Sequence, residues 1–205
     1  MSPRPREKSD TDLLEGTMRV INRIGPARMT LAEVAVEVGM APATLVQRFG
    51  SKRGLLLAVA RHGAETVSEQ FGQIRREHDS ALAALSAVAI CMTRMVETPE
   101  TLANSLAFLQ MDLADPEFHR HALAHAAAMR VEIRSLLDAA IEGGELAPGD
   151  TRALARAIHG LLNGSLLTWA IDRDGAVEKR VREDLEVMLS PRRTVRRPTP
   201  RKSRR

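Results

Sequence analysis

The stretch from Thr30 to Pro42 constrains this chain most. Thr30 and Glu33 form a Thr-x-x-Glu pair, in which each side chain can satisfy the other's orphan backbone N–H at a helix start. Gly39 then supplies the left-handed conformation that ends a helix. Pro42 opens the next helix, because a first-turn proline gives up no hydrogen bond. Two short helices, Thr30 to Val38 and about Pro42 to Phe49, must therefore meet around Gly39-Met40. Two helices joined by a tight glycine-containing turn make a helix-turn-helix.

The rest of the chain reads as helix too. Aromatic residues make up only 2% of it, with no tyrosine, so the core falls to Ala, Leu, Val, Ile and Met. Ala and Leu are strong helix formers, and the β-prone aromatics are nearly missing. A first helix from Asp10 to Ile24 carries Leu13, Leu14, Met18, Ile21 and Ile24 on one face and stops at Gly25-Pro26. Ser51 caps a fourth that runs to about His78. A fifth covers about Ala81 to Glu97. Thr98-Pro99-Glu100 opens a sixth, ending near Leu113, and Asp115-Pro116-Glu117 opens a seventh, ending at Gly143-Gly144. Asp150 opens an eighth, to about Ile171, and a ninth runs from Ala176 to Leu189 before Ser190-Pro191 closes the folded part. The expectation is an all-α chain of about nine helices.

Charge divides this chain into parts. The net charge of +4 conceals +2 in residues 1–9, +2 in 10–62, −8 in 63–189 and +8 in 190–205. A polyanion is attracted to both ends and repelled by the middle. The expected organisation is a basic arm (1–9), a helix-turn-helix domain (10–62), a helical domain (63–189) and a basic tail (190–205). The tail is rich in Arg, Pro and Thr and too poor in apolar residues to build a core, so it is expected to be disordered.

Several function classes drop out. Cys91 is the sole cysteine, which excludes an intrachain disulfide and a Cys-rich zinc cluster, and its apolar neighbours suggest a buried core thiol. The charged start of the chain is unlike a secretion signal, and no uncharged stretch reaches the ~20 residues of a membrane-crossing helix. The expected location is the cytoplasm. No glycine-rich phosphate loop, nucleophile elbow or H-E-x-x-H is present, so no catalytic residue, cofactor or enzymatic activity is expected. His121 and His125 have metal-ligand spacing, with His119 nearby, but no third ligand is identifiable and no metal is expected.

The helix from Pro42 carries the candidate chemistry. Leu45 and Phe49 anchor it, leaving Ala43, Thr44 and Gln47 pointing outward, flanked by Val46 and Arg48. In a DNA major groove, Gln can pair with adenine, Arg with guanine, and the methyls of Thr and Ala can meet thymine. Lys52 suits a phosphate, Thr30 and Pro42 complete the DNA-facing set, and Arg4 and Arg6 suit a minor-groove arm.

The run Met29-Thr30-Leu31-Ala32-Glu33-Val34-Ala35, then Gly39-Met40-Ala41-Pro42-Ala43-Thr44-Leu45, then Phe49-Gly50-Ser51-Lys52-Arg53-Gly54-Leu55-Leu56 resembles the tetracycline-repressor family of bacterial transcription regulators. Three positions depart from it. Ala41 stands where the family usually has a Ser or Thr cap, Val46 where it usually has Tyr, and Ala32 where many members carry a polar or basic residue. The resemblance implies a homeodomain-like three-helix DNA-binding unit followed by a helical ligand-binding and dimerisation domain. It implies a homodimer built by the last two helices. Leu154, Ile158, Leu161, Ser165 and Trp169 in the eighth and Val181, Leu185 and Met188 in the ninth have the matching helical spacing. It also implies an effector pocket, for which Met92, Met95, Phe108, Met111 and Met129 are candidate lining, with Asn104 and His125 as polar handles. The function expected is a sequence-specific regulator of double-stranded DNA, a repressor released from a palindromic operator by a mostly apolar small molecule. The alternative is a weakly specific architectural DNA binder driven by the basic tail.

Overall fold

The structure, a computed structural model of the chain, describes residues 9–194. Its regular elements are α-helices: α1 (Asp10–Arg28), α2 (Leu31–Val38), α3 (Pro42–Phe49), α4 (Lys52–Glu65), α5 (Val67–Arg76), α6 (Ala81–Thr93), α7 (Pro99–Ala114), α8 (Pro116–Glu142), α9 (Thr151–Asp172) and α10 (Val177–Leu189). Among the described residues no helix is long and apolar enough to cross a membrane. No three His, Cys, Asp or Glu side chains among them gather as a metal site.

Among the described residues ten α-helices stand where about nine were expected, because the helix capped by Ser51 breaks at Thr66. The Thr66 hydroxyl donates to the His62 carbonyl at 2.9 Å, competing with the backbone for that acceptor. The bend also lets the chain change cores. Leu55, Leu56 and Val59 of α4 pack with α1–α3, whereas Val67 and Phe71 of α5 pack with α6 and α8–α10. At Gly25 the helical path of α1 kinks, with φ 79° and ψ 155°, before the short turn to Arg28.

Two expectations fail in packing. Cys91 is exposed, because α6 turns Val88 and Ala89 inward and presents the thiol on its other side. The chain expected to end its folded part at Ser190-Pro191 continues to Thr194. Ser190–Arg192 form a 3-10 turn, Ala147 N–H donates to the Arg192 carbonyl at 2.8 Å, and Thr194 N–H donates to Glu145 at 3.1 Å. Backbone pairing, invisible to hydrophobic patterning, holds this segment. Glu145 also accepts from the Ser80 hydroxyl and from the Ala81 N–H at 2.9 Å, so one carboxylate joins the start of α6 to the α8–α9 loop.

The smaller core is not closed by α1–α4 alone. Phe108 of α7 and Phe118 of α8 complete it, their rings meeting edge to face at 6.1 Å and 89°. Above Phe118 lies the Arg53 guanidinium, 5.6 Å from the ring centre. It forks onto Asp115 at 2.7 Å and Glu117 at 2.6 Å. Asn104 Nδ2 donates to the Asn22 carbonyl at 2.9 Å and Ser105 donates to Asn22 Oδ1 at 3.0 Å, fixing α1 along α7. At Gly25 a Cβ would lie 2.8 Å from Asn104 Oδ1, so the kink also needs glycine for space.

Phe118 is 1% exposed, and Phe118→Ala should lower unfolding stability by ~3–5 kcal/mol in denaturant titration. Because Phe118 serves the α1–α4 core from α8, protection of α1–α4 amides in hydrogen exchange should fall with it. Asp112 supplies a pH test. Its buried Oδ1 finds no hydrogen-bond partner, and burial raises its carboxyl from 3.8 to about 6, with His119 pulling weakly the other way. The native state thus holds this proton more tightly than the unfolded chain. Stability from this group is full below its unfolded pKa and is lost as pH rises through about 6. Asp112→Asn should raise the melting temperature at pH 7.5 and leave it nearly unchanged at pH 4.

Candidate nucleic-acid interface

The local chemistry that shapes α2 and α3 is visible atom by atom. Glu33 N–H donates to the Thr30 hydroxyl at 3.2 Å, and Thr30 N–H donates to Glu33 Oε2 at 2.7 Å, completing the capping box. Gly39 sits at φ 63° and ψ 44°. Gly39 and Met40 N–H groups close the end of α2 by donating to Val36 and Ala35 carbonyls at 3.2 and 2.8 Å. Val34, Ala35 and Val38 are buried under α1, where Gly16 leaves the space that Val38 fills. Glu37 ties α2 to α1 by accepting from Arg19 at 2.9 Å and Arg23 at 3.0 Å, and those guanidiniums hold its carboxyl below the usual range.

Leu45 is fully buried and Phe49 partly, so α3 is pinned by one side. Opposite them Ala43, Val46 and Gln47 are exposed and Thr44 is half-buried beside them. Pro42 is exposed at the helix start, and Ala41, in an extended cap conformation, makes no side-chain cap bond. Arg48 lies on the same helix, but its Nη1 donates to Asp10 Oδ1 at 3.1 Å, so it braces α3 against the start of α1. Lys52 donates to the Ala27 carbonyl at 2.9 Å. Thr30 is engaged by Glu33. Arg4 and Arg6 lie outside the described residues, as do the tail bases from Arg196 onward.

The candidate ligand residues do not converge. Met129 is buried and Met92 partly buried in the larger core, whereas Phe108 and Met111 belong to the smaller one. Met95 is 49% exposed beyond the end of α6. Asn104 holds α1, as above. His125 is half-buried on α8, with its ring 4.0 Å from where a Cβ on Gly63 of α4 would lie. Burial lowers its pKa, and burial also lowers that of His159 on α9. Helical spacing carries no information about which of two cores a turn of helix serves, and for Met95 it does not distinguish an inward from an exposed position.

The dimer candidates lie mostly within the chain's own fold. Ile158, Ser165, Trp169, Val181 and Leu185 are buried inside their own chain, and Leu154, Leu161 and Met188 are half-buried at the seam of α9 and α10. Trp169 spends its N–H on the Gly175 carbonyl at 3.0 Å. The exposed apolar face of α9 is a second stripe, Ala157, Gly160, Gly164, Leu167, Thr168 and Ile171, with Leu167 44% and Ile171 71% exposed. A Cβ at Gly160 or Gly164 would meet nothing. Val187 of α10 is 74% exposed. It also lines a cavity of about 270 Å³ with Leu161, Asp184, Met188, Pro191 and Arg192. A helix with two apolar stripes gives both the same period, and the larger side chains took the inner one.

Sequence reading missed Arg53 as the link between the two parts. Asp115 and Glu117 were legible as helix-start acids; their second use as its partners depends on tertiary approach.

A family model described as bacterial regulatory proteins, tetR family, matches residues 13–59. A second, described as BetI-type transcriptional repressor, C-terminal, matches residues 83–190. The HTH-type transcriptional regulator BetI of Rhizobium meliloti (strain 1021) is 30% identical over 129 residues, which is 58% of this chain and 59% of that protein. The match thus spans less than two thirds of that relative's length. Among solved structures, the transcriptional regulator FadR from Bacillus subtilis in complex with stearoyl-CoA superposes with TM-score 0.65 at 18% identity, covering 89% of this chain and 98% of that one. A TetR transcription regulator from Haloarcula marismortui ATCC 43049 gives TM-score 0.67 at 18% identity, covering 90% and 97%.

The missing cap on α3 is directly testable. Ala41→Ser should let the new hydroxyl accept an α3 N–H and raise stability by ~1 kcal/mol, read as a shift in denaturant midpoint at unchanged slope.

Proposed function

Because the chain belongs to the tetR family of bacterial regulatory proteins, we propose that it is a dimeric, sequence-specific DNA-binding repressor. A mostly apolar small molecule releases it from a palindromic operator. The observation that carries this reading is the exposed outer face of α3, held opposite the buried Leu45 on a three-helix unit whose core is completed by Phe108 and Phe118. A reading helix must be rigid to hold register in a major groove, and that packing supplies the rigidity.

The exposed α9 stripe, with Gly160 and Gly164 open to close backbone approach, supports self-association of α9 and α10 across a two-fold axis. Two reading helices so related would meet half-sites about one DNA turn, ~34 Å, apart. Release by a ligand fits the Arg53 fork and the Phe108–Phe118 contact. Displacing α7 or α8 would act directly on the α1–α4 core. The stearoyl-CoA complex of the Bacillus subtilis FadR is an instance of this fold with an acyl ligand. We assign the chain no reaction.

Selection of bound fragments from random DNA by the full chain tests the reading. The expected product is a two-fold-symmetric site with half-sites one turn apart, whose enrichment persists without residues 195–205. Loss of all sequence preference in the truncated chain would favour the tail-driven alternative.

A further inference from the structure

The charged groups that ordinarily read or grip DNA near α3 are turned to internal use. Arg48 bonds Asp10 at 3.1 Å, Lys52 bonds the Ala27 carbonyl at 2.9 Å, and Arg53 forks onto Asp115 and Glu117. Arg19 and Arg23 share Glu37. What remains outward on α3 is Ala43, Val46 and Gln47, with Thr44 beside them. Val46 is 46% exposed, a branched apolar side chain left uncovered on a two-turn helix. A single exposed valine is ordinary. Its outward neighbours on α3 are Ala43 and Gln47, and the one cation of that helix, Arg48, bonds Asp10 of α1.

We propose that α3 recognises A·T-rich half-sites, with Val46 and Ala43 packing on thymine methyl groups and Gln47 pairing with an adjacent adenine, while Arg48 braces the helix. This rests on the DNA-binding reading above. The thymine C5 methyl is the one apolar group in the major-groove edge code, and it is what an aliphatic side chain can recognise there. A Gln amide can take adenine N6 and N7 together. Discrimination against G·C follows from desolvation. A cytosine amino group pressed against Val46 would lose its water and gain no acceptor, leaving a buried donor unpaired. A guanine calls for a bidentate donor, and the guanidinium of α3, on Arg48, is turned toward Asp10 of α1.

The test separates this inference from its parent. The full chain is first used to select half-sites from random DNA, and each thymine of the selected site is then replaced by deoxyuridine. That change deletes the methyl group and keeps the hydrogen-bonding edge. We expect an A·T-rich half-site, ~4-fold weaker binding for each methyl in contact, and disappearance of that loss at one position in Val46→Ala. Arg48→Ala is expected to weaken all sequences alike. A half-site built on fixed G·C pairs whose preference is lost in Arg48→Ala would overturn the proposal while leaving DNA reading intact. Deoxyuridine effects that are equal in the native chain and in Val46→Ala would do the same. Enrichment of no sequence at all would overturn the DNA-binding reading itself.

Discussion

The contact between Phe118 and the α1–α4 core is the interaction on which the rest of the molecule depends. Three short helices around a glycine turn bury too little surface to be rigid alone. Phe118 and Phe108 supply two of the largest side chains in that core, and both come from the part of the chain beyond residue 63. Arg53 then closes over Phe118 and forks onto the acids that flank it. The charge pairs are half-exposed and contribute modestly by themselves. They tie the first turn of α4 to the first turn of α8. The reading unit and the helices behind it therefore share their packing, and a change in one is felt in the other without a separate relay.

How much of this was legible in the sequence depends on whether the physics is local. Thr30, Glu33, Gly39 and Pro42 act on backbone groups within a turn of themselves, and the structure realises the α2–α3 corner they specify. Leu45 as the anchor of α3 was equally legible, because an eight-residue helix with one buried side has few alternatives. The break at Thr66 was not, since a threonine in a helical run is compatible with a straight helix until the two cores compete for its flanks. Ile158 and Trp169, whose spacing suits a dimer face, lie inward for a related reason. The period of α9 is the same on both faces, and only tertiary packing decides which face the chain keeps. Arg48 shows the limit for polar groups. Its place on α3 was readable, but the carboxylate that holds it, Asp10, lies 38 residues away.

The charge segregation gains meaning from the same geometry. The acidic stretch of the sequence forms the helices between the reading unit and Thr194, the last described residue, and it repels a polyanion that the rest of the sequence attracts.

One of those helices has a mechanical property as well. α8 is continuous from Pro116 to Glu142, seated by Phe118 in one core and by Ile133, Leu136, Leu137 and Ala140 in the other. A displacement at either end of this unbroken helix is therefore met by the side chains of both cores at once.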